Sequence, residues 1–177
     1  MRLTKRTNLA LRVLMYCAVH DDRLVTKAEI AAICNTSENH LAQVIHHLAQ
    51  LGFLHTQRGR RGGMTLGRPA EGIRVGAVFR QFEGALPVAE CFDQTTNTCP
   101  LVAGCRLRRA IARAAEAFYA ALDDVTLDAL VCGNVALAEI MTPPDCSGAM
   151  DVADRAPAPE TEIETAPAPD TAALPRI

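Results

Sequence analysis

The sequence predicts a mainly α-helical fold with one small β-hairpin, organised as a winged helix-turn-helix followed by a long dimerisation helix. Three observations carry this expectation. Two capped helical segments are joined by a tight turn; a glycine- and arginine-rich loop lies between two short strand-like runs directly behind them; and a long amphipathic stretch follows. With 177 residues, 49% of them hydrophobic, the chain buries one ordinary core or one core plus a small appendage, which excludes a large multidomain enzyme.

In TNLALRVLMYCAVH, Leu9, Val13, Tyr16 and Cys17 recur at helical spacing, and the polar run His20-Asp21-Asp22 ends that first helix. Thr26-Lys27-Ala28-Glu29 is a capping-box pattern opening a short helix, AEIAAIC. Ser37 caps a longer helix with Leu41, Val44, Ile45, Leu48 and Leu51 on one face, and Gly52 stops it. The run from Phe53 to Gln57 reads as a strand, Arg58 to Gly63 as a turn and Met64 to Leu66 as the returning strand, which makes a wing with a basic tip. After Pro69, IRVGAVFRQFEG forms a short helix, and an irregular stretch runs from about Leu86 to Gly104. RLRRAIARAAEAFYAAL then places Leu107, Ile111, Ala114, Phe118 and Leu122 on one stripe, which a small winged domain cannot cover and which a second copy of the chain can. From Thr142 onward the chain is acidic and rich in Pro and Ala, with seven of the ten prolines, so this tail is expected to be disordered. The resulting division is a winged domain at 1–83, a cysteine loop at 84–105, a dimerisation helix with a helical segment at 106–141 and a tail at 142–177.

The formal net charge of -2 hides an asymmetry. Residues 1–80 carry 12 basic and 5 acidic side chains, whereas residues 81–177 carry 6 basic and 15 acidic ones. A basic half containing a helix-turn-helix suits a polyanion such as double-stranded DNA. On the helix capped by Ser37, the first outward positions Glu38, Asn39, His40 and Gln43 are those that reach base edges in a major groove. Asn and Gln pair bidentately with adenine, Glu accepts from cytosine and His donates to guanine. Arg58, Arg60 and Arg61 on the wing suit phosphate or a narrow minor groove. His46 and His47 read as surface or groove-edge polar residues, because adjacent positions on a helix point in different directions.

Seven cysteines, an odd number in a chain without a signal-type apolar segment, speak against a disulfide framework and for a cytoplasmic protein. Cys17, Cys34, Cys132 and Cys146 read as structural or incidental thiols. Cys91, Cys99 and Cys105 differ, because they share one loop, CFDQTTNTCPLVAGC, shaped by Pro100 and Gly104. Zinc and iron-sulfur centres both accept thiolates. No histidine follows His55 and the loop has no fourth cysteine, so a closed local zinc knuckle is disfavoured, while an open cluster or a redox-active thiol group remains.

Taken together, LTKRTNLALRVLMY, SENHLAQVIHHLAQLGFL, the wing RGRRGGMTLGRP, the AECF, CPL and C elements of the loop and FYAALDDVTLDALV resemble the Rrf-type winged-helix regulators, the NsrR/RirA/IscR family, over about residues 1–134. The resemblance implies a homodimeric DNA-binding protein whose iron-sulfur cluster, of the 4Fe-4S or 2Fe-2S type, is held by Cys91, Cys99 and Cys105. It implies Asn8 of the partner subunit at the fourth coordination position, where nitric-oxide sensors of the family carry Asp, a better ligand than an amide. The ENH start of the recognition helix and the wing look like the nitric-oxide-sensing branch, which is the reading preferred here; the opening MRLTKRTN, Asn8 and the seven-residue first spacing look like the iron-responsive one. A ligand set with a His shortly after the third cysteine, as in the cluster-biogenesis branch, is not matched by RLRRA.

Two other classes fit the sequence less well. A thiol-based enzyme would need a Cys-x-x-Cys motif, a nucleotide-binding glycine loop or a Cys-His pair that the sequence brings together, and none is found. A winged helix that binds protein instead of DNA would have no use for the basic wing.

Overall fold

The computed structural model describes residues 3–84, 89–93 and 95–142. The tail expected to be disordered, with its Cys146, lies outside the described residues apart from Thr142, as does the start of the irregular stretch at 85–88.

The order is α1 (Lys5–Val19), α2 (Lys27–Ile33), α3 (Glu38–Gln50), β1 (Leu54–Gln57), β2 (Gly63–Leu66), a 3-10 turn at Ala70–Gly72, α4 (Val75–Glu83), a second 3-10 turn at Glu90–Phe92, α5 (Arg106–Asp123), α6 (Leu127–Val131) and α7 (Val135–Met141). This is the mainly helical fold with a two-stranded hairpin that the pattern predicts.

Local chemistry sets the helix starts. The Thr4 hydroxyl accepts from the Thr7 N–H to open α1. At α2 the capping box is complete: the Thr26 hydroxyl accepts from the Glu29 N–H while the Glu29 carboxylate accepts from the Thr26 N–H at 2.7 Å. Ser37 caps α3 by accepting from the His40 N–H at 3.3 Å. That helix ends where Gly52 takes φ +71°, a left-handed conformation that lets the Phe53 N–H return to the Leu48 carbonyl. Arg68 donates to the Leu51 and Gly52 carbonyls and lies over the Phe53 ring, which fixes the junction between α3 and the wing.

The wing pairs Leu54 with Leu66 and Gln57 with Gly63 in antiparallel register. Val25 adds an isolated bridge to Met64, with mutual N–H to carbonyl bonds of 3.0 and 2.8 Å, so the hairpin is sewn to the connection before α2. The core is made by Ala10, Val13, Leu14, Tyr16 and Cys17 of α1 with Ile30, Leu41, Val44, Leu48, Phe53, Met64, Ile73 and Val78, each buried. Leu127 and Met141 join the same cluster, so α6 and α7 close over α1.

The long helix α5 packs against α4 through Phe79 and Phe118, whose rings meet edge to face at 5.9 Å. Gly76 permits the approach, because a Cβ there would sit 2.7 Å from the Asp123 nitrogen and closer still to its carboxylate. Arg80 pairs with Asp123 at 2.6 Å and with Glu116 at 3.1 Å and stacks on Tyr119. The expected stripe is therefore rotated. Ile111, Ala115, Phe118, Tyr119 and Leu122 are half-buried, whereas Leu107 is 67% exposed and Ala114 faces outward.

Candidate nucleic-acid interface and cysteine site

The helix-turn-helix presents α3 with its first turn free of the core. Asn39 and Gln43 are exposed, as is the capping Ser37. Glu38 is exposed but tied back to α2 by a 3.0 Å ion pair with Lys27, so its carboxylate already has a partner. His40 is half-buried and lines a cleft of about 320 Å3 between α1 and the α2–α3 turn, together with Lys5, Asn8, Arg12, Cys34 and Thr36. Asn8 and the base of the recognition helix thus share one cleft. His46 is exposed, whereas His47 is half-buried and stacks against Phe82 at 4.8 Å, serving the packing of α3 on α4.

Arg58, Arg60 and Arg61 are exposed at the wing tip, where Gly59 takes φ +118° to close the turn. Among the described residues none of the three forms an ion pair, which leaves their charge available to an anion.

The cysteine loop runs from the 3-10 turn at Glu90–Phe92 to the start of α5. Cys91, Cys99 and Cys105 are free and half-buried, but among the described residues no group of three or more His, Cys, Asp or Glu side chains converges closely enough to hold a metal ion. The loop is instead held by its own polar groups. Glu90 accepts from the Thr98 N–H and hydroxyl, and Asp93 accepts from the N–H and hydroxyl of both Thr95 and Thr96. These bonds, led by those from the Thr98 and Thr95 hydroxyls, keep Glu90 and Asp93 below the usual carboxylate range. Cys105 is the N-cap of α5, its sulfur accepting from the Arg108 N–H at 3.3 Å.

The chemistry of this donor set fits a thiolate-bound iron-sulfur or zinc group. The first turn of α5 has no acidic residue, yet Arg106, Arg108 and Arg109 add to the positive end of the helix dipole. That concentration of positive charge favours an anionic centre beside Cys105, and three soft thiols on the adjoining loop would provide one if deprotonated around a metal. The remaining described cysteines sit elsewhere. Cys17 is buried in the core, which pushes its thiol up to about 12, Cys34 is buried at the end of α2, and Cys132 is exposed after α6.

One buried carboxylate was not foreseen from the sequence. Glu83, 6% exposed at the end of α4, accepts from the Thr4 N–H at 2.8 Å, from the Thr4 hydroxyl at 2.9 Å and from the Thr7 hydroxyl. Burial pushes its carboxyl upward, but the Thr7 hydroxyl and the two Thr4 donors outweigh this and hold it below its ordinary value. Glu83 therefore ties the end of α4 to the first turn of α1, one turn from Asn8.

Comparison with known proteins agrees with this anatomy. The Rrf2 family, described as iron-dependent transcriptional regulator, matches residues 3–133. The chain is 46% identical over 134 residues to the HTH-type transcriptional repressor NsrR of Streptomyces coelicolor, covering 74% of this chain and 88% of that protein. It is 38% identical over 142 residues to the HTH-type transcriptional regulator NsrR of Oceanobacillus iheyensis, covering 80% and 97%. The solved structure of T. potens IscR shares the fold with a TM-score of 0.59 at 24% identity, over 73% of this chain and 85% of that one. Among the described residues no helix is long and apolar enough to cross a membrane. The chain belongs to the Rrf2 family and is a DNA-binding transcription regulator built on a winged helix.

Proposed function

We propose that this regulator is a repressor that binds operator DNA as a homodimer under the control of an iron-sulfur cluster, with nitric oxide as its signal. The observation that carries the reading is the loop of three free thiols set against the arginine-rich, acid-free start of α5. Cys91, Cys99 and Cys105 are the residues that would hold the cluster, with Asn8 of the partner subunit at the remaining position. When bound, the cluster supplies a cross-link of the loop that depends on thiolate ligation and is open to nitric oxide, oxygen or iron limitation.

The chain's own residues do the rest. Ser37, Glu38, Asn39, His40 and Gln43 meet the major groove, with Asn39 and Gln43 the free readers of base edges and Ser37 fixing the helix start. Arg58, Arg60 and Arg61 neutralise phosphate or enter the adjacent minor groove. A second copy of the chain covers the outer face of α5, where Leu107, Ala110, Ala114, Ala117 and Ala121 are exposed at alternating spacings of three and four, a seam whose small residues allow close helix approach. Two winged domains related by a dyad suit a pseudopalindromic operator. Movement of the loop reaches α3 by a short path: Glu83 holds the first turn of α1, and α1 packs directly on α3.

Iron limitation as the signal is the second reading, favoured by one residue. Asn8 offers a neutral amide where a carboxylate would bind more firmly, so the site would yield its iron more readily. Iron, acid-labile sulfide and zinc content of anaerobically purified protein, with the visible spectrum followed on adding nitric oxide or a chelator, separates the readings. Iron with sulfide, bleached preferentially by nitric oxide, is expected; loss chiefly to the chelator selects iron sensing. Zinc or no metal overturns the cluster and leaves a zinc- or thiol-dependent winged-helix regulator.

A further inference from the structure

Arg108 is half-buried, whereas its neighbours Arg106 and Arg109 are exposed. Its Nε donates to the Cys91 carbonyl at 3.0 Å, reaching back 17 residues along the chain. Its guanidinium lies 5.0 Å from the centre of the Phe92 ring, and its backbone N–H donates to the Cys105 sulfur at 3.3 Å. One residue thus touches the first and last cysteines of the loop and stacks on the aromatic ring beside the first.

We infer that Arg108 is a positioning residue for the cysteine site: it fastens the Cys91–Phe92 turn to the start of α5, so that Cys91 and Cys105 are presented together before any metal arrives. This rests on the reading that these cysteines hold a metal centre. The fastening itself is a property of the chain. The planar guanidinium suits the task, because it donates to a carbonyl in its plane while its face lies on a ring; a lysine ammonium carries the charge without that combination. Among the described residues Cys99, in the middle of the loop, has no hydrogen bond to Arg108; its N–H donates to the Asn97 side chain at 3.0 Å.

The test begins with metal-free full-length protein and the variants R108A, R108K and R108Q. Alkylation by iodoacetamide is read separately at Cys91, Cys99 and Cys105 by peptide mass, together with hydrogen exchange of amides 91–93. In R108A, Cys91 is expected to react about tenfold faster, the change expected for losing one charge-assisted hydrogen bond, while Cys99 is unchanged. Cys105 changes less than Cys91, because the bond it receives comes from the backbone of residue 108. R108K and R108Q fall between wild type and R108A and serve as the test set if R108A does not fold. In the loaded proteins, iron release to a chelator is expected to quicken in the same order. Unchanged Cys91 alkylation and unchanged exchange across the variants overturn the proposal. A wild-type protein without iron and sulfide that still shows the alkylation pattern overturns the cluster reading and upholds the fastening.

Discussion

Glu83 gives the sharpest test of how the end of α4 is joined to the first turn of α1. In Glu83→Ala the Thr7 hydroxyl, which is fully buried, and the Thr4 N–H lose their carboxylate acceptor. Bonds to a charged group contribute about 1.5–3 kcal/mol each, but these three share a single oxygen, Oε1, and do not add, so a loss of about 3 kcal/mol is expected. Glu83→Gln keeps an oxygen in place and removes the charge, for a loss of about 1 kcal/mol. At about 2–4 °C per kcal/mol for a domain of this size, Ala lowers Tm by about 6–12 °C and Gln by about a third of that. The pH dependence follows from the direction of the shift. Because the folded carboxyl titrates below its ordinary value, its contribution is complete above the unfolded pKa and is lost as pH falls through the folded one. The gap between wild type and Glu83→Gln therefore narrows as pH falls from about 6 to below about 4. Thermal unfolding of metal-free protein, followed by circular dichroism at both ends of that range, is the assay. A Glu83→Ala protein that melts with wild type at neutral pH, or a gap that does not change with pH, refutes the account of this carboxylate.

Other consequences follow from packing and charge. Gly76→Ala forces a methyl group against Asp123 and should destabilise the α4–α5 contact by about 1–3 kcal/mol, measured by denaturant unfolding; wild-type stability would mean that α5 does not lie as described. Leu107→Glu places a charge on the outer seam of α5 and is expected to yield monomers in sedimentation while the monomer keeps its helical content, since Leu107 is 67% exposed in a single copy. Arg60→Ala should weaken binding to every DNA sequence and reduce the salt slope, whereas Asn39→Ala chiefly relaxes discrimination between matched and mismatched operators. Equal behaviour of these two variants in binding titrations counts against the division between wing and recognition helix.

The parts of the fold that the sequence announces are those decided within a few residues. Thr26 and Glu29 satisfy each other's backbone groups, Ser37 meets a donor three positions on, and Gly52 stops a helix because of its own φ, so each depends only on neighbours within a few residues. The face of α5 was less legible. Alanines lie on nearly every side of that helix, and the choice between Ala114 and Ala115 as the inner residue is made by Phe79, Gly76 and Arg80 on another element. Glu83 gave no sign of burial because its donors, Thr4 and Thr7, lie at the far end of the chain segment. Arg108 looked like one arginine among several, and only the return of the loop to α5 distinguishes it. The thiols of Cys91, Cys99 and Cys105 were legible as a set from composition and spacing. Among the described residues they do not converge on one centre, and their gathering around a metal belongs to the proposed function.

The central claim is that the state of the cysteine site governs DNA binding. It is tested most directly by titrating one operator fragment with anaerobically purified protein of known iron and sulfide content, before and after stoichiometric nitric oxide. Coupling of the usual size predicts that the loaded dimer binds about 5- to 150-fold more tightly than the same protein after exposure. Equal affinity of the loaded and cluster-free forms would contradict the claim.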